Sequence, residues 1–124
     1  MNRPIHTSFR GATLRLFLEV YQDPDTQIDG TETVTADLKL LPGNNPQAAL
    51  PGDAAPVVAS LTVTWQAASG GDPAGWHIVG GAADTDGLAP AFYVTDARIV
   101  LGNGEVERAA PITIDLHQHV TRPT

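Results

Sequence analysis

The chain contains no cysteine and a single lysine among its 124 residues. Without cysteine there is neither a disulfide framework nor a thiolate metal site, so stability must come from packing, and redox chemistry says nothing about the compartment. The lysine is one of only seven basic residues, set against fourteen acidic ones, and the formal charge of −7 opposes approach to a phosphate backbone. Nucleic acid is therefore not an expected partner. No stretch approaches the roughly 18 apolar residues of a membrane span, and the N-terminus lacks the apolar run of a signal peptide, so a soluble protein with no membrane partner is expected. Helical periodicity is missing too, apart from a turn near residues 84–89. Serine is scarce: Ser8, Ser60 and Ser69 are the whole set, and none stands in a nucleophile-elbow context.

What the chain does have is twelve glycines and ten prolines, spread between extended segments rather than gathered in one tract. That is the composition of an all-β protein of many short strands and turns. A chain of this length can bury about two-thirds of its unfolded surface, enough for one core, and a single domain is expected.

The clearest element is a hairpin within residues 88–108. In residues 91–101, Tyr93, Thr95, Ala97, Ile99 and Leu101 fall on one side of an extended chain and Phe92, Val94, Asp96 and Arg98 on the other. Gly102, Asn103 and Gly104 tolerate the positive φ of a tight reversal, and residues 105–109 resume the extended pattern. Residues 12–21 alternate in the same way, with Leu14, Leu16, Leu18 and Val20 on the core face, as do Val34, Ala36, Leu38 and Leu40 against Thr33, Thr35, Asp37 and Lys39. Val57, Ala59, Leu61, Val63 and Trp65 form another apolar face, with Trp65 a core or near-core anchor, and residues 76–79 make a short strand. Near the end, Ile112, Ile114, Leu116 and Val120 face one way and Thr113, Asp115, His117 and His119 the other. About seven strands at spacings of roughly 8 to 15 residues fit a two-sheet antiparallel sandwich, with a closed barrel as the alternative. Residues 1–10, with Pro4 removing a backbone donor, read as an arm or an edge strand. Residues 42–56 hold four prolines, two glycines and two asparagines with no periodicity, and read as a long loop that is either a contact surface or a solvated insertion.

Catalytic signals are weak. Asp23, Asp25 and Asp29 approach the spacing of a calcium loop, but Pro24, Gln27 and Ile28 break it, and turn chemistry explains them. Asp84 and Asp86 likewise suit Asx turns. His117 and His119, with Asp115 on the same face, could hold zinc or nickel only if further ligands joined them, for instance where subunits meet. Solvent-facing histidines are the default, and no metal or other cofactor is expected. Nothing selects two of the fourteen acidic residues as a catalytic pair, so an enzyme is not expected. Trp65, Trp76, Phe92 and Tyr93 could build a sugar platform, though core packing is the commoner use of aromatics.

Several stretches together resemble a family. Trp76 with Ala82-Ala83-Asp84-Thr85-Asp86-Gly87-Leu88, then Tyr93-Val94-Thr95-Asp96-Ala97-Arg98-Ile99, then Gly102-Asn103-Gly104-Glu105-Val106, and the last strand with Val120-Thr121-Arg122, are similar to small immunoglobulin-like virion proteins of tailed bacteriophages. Those include proteins like the N-terminal domain of the phage baseplate upper protein. Phe9-Arg10-Gly11-Ala12-Thr13 and Ile28-Asp29-Gly30 fit the same pattern. Ala91 departs from it where a glycine often follows the proline, and the 42–56 loop is longer than a minimal member needs. The resemblance implies a single immunoglobulin-like antiparallel β-sandwich over residues 11–124 with residues 1–10 as an arm or edge strand. It also implies a non-enzymatic structural part of a virion, in the tail, baseplate or fibre-attachment region or on the capsid surface. Its partners would be other virion proteins and further copies of itself, in a trimer or higher ring. The expected contact residues are Ile5, Phe9 and Arg10 in the first segment, Pro42, Asn44, Asn45 and Pro51 in the loop, and His117 and His119 in the last strand. On this reading, deleting residues 1–9 leaves the fold intact and weakens assembly. The alternative is a carbohydrate-binding or adhesive module contacting a host surface.

Overall fold

The computed structural model describes residues 2–20, 28 and 30–120. The aspartates at 23, 25 and 29, the end of the strand expected to reach residue 21, and the last four residues lie outside them.

Among the described residues the alternating segments become eight strands: β1 (Ile5–Phe9), β2 (Leu14–Glu19), β3 (Thr33–Leu40), β4 (Ala59–Gln66), β5 (Gly75–Gly80), β6 (Ala91–Val100), β7 (Val106–Arg108) and β8 (Ile112–His117). A short helix, α1 (Ala82–Asp86), and a 3₁₀ turn at Pro42–Asn44 complete the regular structure. The fold is all-β, as its composition requires. The hairpin between β6 and β7 closes as expected, pairing Val100 with Val106, with Gly104 at φ 89° and the Asn103 side chain accepting the Glu105 N–H at 2.9 Å.

The strands run in the order β1-β8-β6-β3-β4-β5-β2, with β7 attached beside β6. They form two layers because β4 serves both: Ala59 and Leu61 pair with β3, whereas Thr62 to Gln66 pair with β5. One layer is β1-β8-β6-β3 with the start of β4, and the other is the end of β4 with β5 and β2. These are the C-F-G and B-E-D orders of an immunoglobulin-like sandwich, curled nearly into a barrel by the shared strand. One pairing departs from the expected antiparallel sheet: β1 runs parallel to β8, Ile5 opposite Thr113 and Phe9 opposite His117. The physical reason is that the whole domain lies between these two strands in sequence, so no hairpin dictates their relative direction.

The core lies between the layers. Leu14, Ala36, Leu38, Leu61, Ile78, Tyr93, Ala97, Ile114 and Leu116 form one buried cluster, contributed by six strands. Tyr93 enters it at the start of β6 and donates its hydroxyl back to the Ala89 carbonyl at 2.7 Å, which is the tyrosine corner characteristic of this fold. Burial raises the Tyr93 hydroxyl above its ordinary pKa of 10.0, and the charge of Arg10 offsets part of that rise. At one end, Trp65 and Trp76 pack tilted with centroids 4.8 Å apart, and Gly30, at φ 95°, lies so close that a Cβ there would meet the Trp65 ring at 2.5 Å.

Four local expectations are corrected. Leu40 and Val57, both expected in the core, are exposed, because β3 ends at Leu40 and β4 begins only at Ala59. Leu41 takes the buried place, its N–H bonded to the Phe92 carbonyl at 2.9 Å. Thr113, expected to face solvent, is fully buried, because the 42–58 loop folds back over the outer face of the first layer. The histidines at 117 and 119 do not share a site: β8 ends at His117, whose ring meets Phe9 and Asp115, whereas the His119 ring lies against Asp86.

Candidate functional site

The outer face of the first layer brings together three of the sequence-selected residues, Ile5, Phe9 and His117. Parallel pairing of β1 with β8 puts Ile5, Thr7 and Phe9 on this face beside Thr113, Asp115 and His117. Ile5 and Phe9 are each 48% exposed, an unusual cost for two large apolar side chains on a five-residue strand. The Phe9 ring packs at a tilt of 50° against the His117 imidazole with centroids 5.6 Å apart, and His117 Nε2 sits 2.8 Å from Asp115 Oδ2. The carboxylate thus holds the imidazole in one orientation beside the phenyl ring.

The edge of this strand is as informative as its face. The Pro4 carbonyl accepts from the Thr113 N–H, and the Arg10 N–H donates to the His117 carbonyl, both at 2.9 Å. Backbone groups alternate between edges along a strand, so His6 and Ser8 point inward to β8, and the N–H and C=O groups of Ile5, Thr7 and Phe9 point outward. The Phe9 carbonyl accepts from Ala12 N–H at 3.1 Å in the following turn. Among the described residues no strand pairs with that outer edge. The segment Ile5-His6-Thr7-Ser8-Phe9 also lacks the charges, glycine or proline with which edges are commonly blunted, whereas the opposite edge strand β2 carries Arg15 and Glu19.

The remaining selected residues lie elsewhere. Arg10 is held within the chain, its guanidinium donating to Gln118 Oε1 and to the Asp86 carbonyl, both at 2.7 Å. His119 turns to the same place, with Nε2 3.6 Å from Asp86 Oδ1, so the two histidines serve different elements. Among the described residues no group of three or more histidine and acidic side chains is placed to share a metal ion. Pro42, Asn44 and Asn45 are exposed in and just after the 3₁₀ turn, and Asn45 Oδ1 accepts the Gln47 N–H at 3.0 Å.

The loop they begin is fastened down. Arg3 donates Nε to Thr113 Oγ1 at 3.1 Å and a terminal nitrogen to the carbonyls of Pro46 (3.2 Å) and Ala48 (2.5 Å). Gln47 exchanges two bonds with the Arg3 backbone, and Thr113 Oγ1 donates to the Pro46 carbonyl at 2.7 Å. Farther along, Lys39 Nζ donates to the Gly52 carbonyl at 3.0 Å. Between the loop and the sheet runs a groove of about 290 Å³ floored by Val94 and walled by Pro51, Lys39, Arg98, Arg108 and Asp96. Arg108 and Asp96 approach to 3.8 Å there, both partly exposed.

Sequence reasoning missed Arg3, Gln47 and Thr113. The available signal was indirect: a loop with four prolines keeps its carbonyls but loses donors, so another segment must supply them. The tryptophans, by contrast, lie where core packing puts them. Trp76 is only 3% exposed, and Trp65, partly buried, packs on Trp76 and close against Gly30. A scan against protein-family models finds no match for this chain, and a search of curated proteins finds none.

Proposed function

We propose that this chain is a non-enzymatic structural module of a bacteriophage particle that joins neighbouring proteins by adding a strand to its β1 edge. The setting comes from the resemblance of its sequence to small immunoglobulin-like virion proteins, in the tail, baseplate or fibre-attachment region or on the capsid surface. The observation that carries the mode of joining is the outer edge of β1, with its outward backbone groups, its two half-exposed apolar side chains and no blunting charge. An incoming strand gains main-chain hydrogen bonds from such an edge and apolar contact from its alternate side chains.

The carbohydrate-binding reading needs an exposed aromatic pair, and the tryptophans available to it are packed on each other with Trp76 buried. The groove beside the loop has no aromatic residue in its lining and offers no stacking platform.

Light scattering tests the reading. The chain associates to a mass above its own 13.0 kDa, and Thr7→Pro returns it to that mass with unchanged circular dichroism. Proline at position 7 removes an outward donor and leaves every bond from β1 to β8 in place. A mass of 13.0 kDa for both proteins at all concentrations overturns the edge as an assembly element.

A further inference from the structure

The residues along the β1 edge also select which partner fits it. We infer that β1 pairs antiparallel with β1 of a second copy of this chain, about a two-fold axis through Thr7; this rests on the assembly reading above and names its partner.

Three observations converge on this register. First, the outward backbone groups belong to Ile5, Thr7 and Phe9, evenly spaced about Thr7. In an antiparallel ladder, residues whose N–H and C=O both face the partner form the hydrogen-bonded pairs. Centring on Thr7 sets Ile5 opposite Phe9 of the second copy, Thr7 opposite Thr7, and Phe9 opposite Ile5. All three outward residues on each chain are used. The Phe9 carbonyl, which already accepts from Ala12 N–H, joins through its second lone pair. Shifting the register by two residues leaves one outward residue of each chain unpaired.

Second, the same centring matches the side chains. Ile5 and Phe9 project from the same face and are exposed to the same degree, so their apposition makes a β-branched–aromatic cross-strand pair twice over. Either shifted register puts isoleucine or phenylalanine against threonine. Third, identical edges can meet only through a two-fold operation, and that contact closes at two copies. A trimer or higher ring requires this edge to meet a different element, and the self-matching of β1 makes no such demand. The product is a sheet running continuously through both copies.

Single-thiol variants test the register, because the chain has no cysteine of its own. Thr7→Cys forms a covalent dimer under mild oxidation, more than about tenfold faster than Ser69→Cys on the exposed 69–72 turn, as the effective concentration of a paired site requires. Ile5→Cys and Phe9→Cys, each alone, remain monomeric thiols. In the two-fold register each lies opposite the other kind, and four residues of strand separate identical positions by about 13 Å, beyond the ~7 Å span of a disulfide. Mixed together, Ile5→Cys and Phe9→Cys cross-link to each other. A chain that associates by light scattering but shows no preferential Thr7→Cys cross-link overturns the two-fold register and leaves assembly through the edge standing. A chain that stays at 13.0 kDa overturns both.

Discussion

Tyr93 and Gly30 show how single residues set the stability of this sandwich. The Tyr93 hydroxyl is the polar end of a buried ring, and its bond to the Ala89 carbonyl fixes the corner from which β6 starts. Tyr93→Phe keeps the ring and leaves that carbonyl without its donor, so urea unfolding at neutral pH should show a loss of about 1–2 kcal/mol. Its pH dependence has a definite sign. Burial raises the folded-state pKa above 10.0, so between the unfolded and folded values the native state holds a proton that the unfolded state has released. The stabilisation is complete below the unfolded value and falls as pH rises through the folded one. Unfolding midpoints measured at pH 8 and above pH 10 should therefore diverge more for the wild type than for Tyr93→Phe; equal divergence would refute the assignment. Gly30 acts by what it lacks. With φ at 95° and the Trp65 ring 2.5 Å from any Cβ, Gly30→Ala combines backbone strain with overpacking. It should cost about 2–4 kcal/mol and shift tryptophan fluorescence as the ring is displaced.

The strands were legible in the sequence because a period of two is a local property: Leu14, Leu16 and Leu18, or Tyr93, Thr95, Ala97 and Ile99, declare their face without reference to anything distant. What the alternation could not declare was what covers the other face. Thr113 alternates like a solvent residue and is buried because a loop more than fifty residues earlier in the chain lies across it. The parallel β1–β8 pairing escaped for the same reason, since its partners sit at opposite ends of the sequence. Of the residues selected as contacts, Ile5, Phe9 and His117 share a face, as their period of two requires, whereas Arg10 and His119 are drawn to Asp86 at the end of α1 by ties no local pattern declares. These long-range ties also change what residues 1–9 do. Within that segment residues 5–9 form a sheet strand and Arg3 clasps the loop, so removing it strips β8 of a neighbour and Thr113 of its bond to Arg3; the deletion expected to leave the fold intact should instead lower the unfolding midpoint. Arg3→Ala isolates the clasp. It withdraws the guanidinium donors from Thr113, Pro46 and Ala48, and should lower stability by about 1–3 kcal/mol. Cleavage before Leu50 by a protease specific for apolar residues should then become faster than in the wild type, with the Tyr93 corner unaffected.

At the scale of the whole molecule, charge and edge act in opposite directions. Each copy carries a formal charge of −7, so two copies repel as they approach, whatever surface they present. The β1 contact has no charged residue between Ile5 and Phe9 to offset that repulsion. Added salt screens the repulsion and leaves main-chain hydrogen bonds and apolar packing nearly untouched, the Debye length falling to about 3 Å at ~1 M. Association through β1 should therefore strengthen as salt is raised. A contact made through the groove, where Lys39, Arg98 and Arg108 could meet the acidic surface of another copy, has the opposite dependence, because screening removes its attraction. Sedimentation at about 0.02 M and about 0.5 M salt separates the two. A larger dimer fraction at high salt, abolished by Thr7→Lys, places the contact on the uncharged edge. A dimer that dissolves at high salt and survives Thr7→Lys moves it to the groove and removes the β1 edge from the assembly.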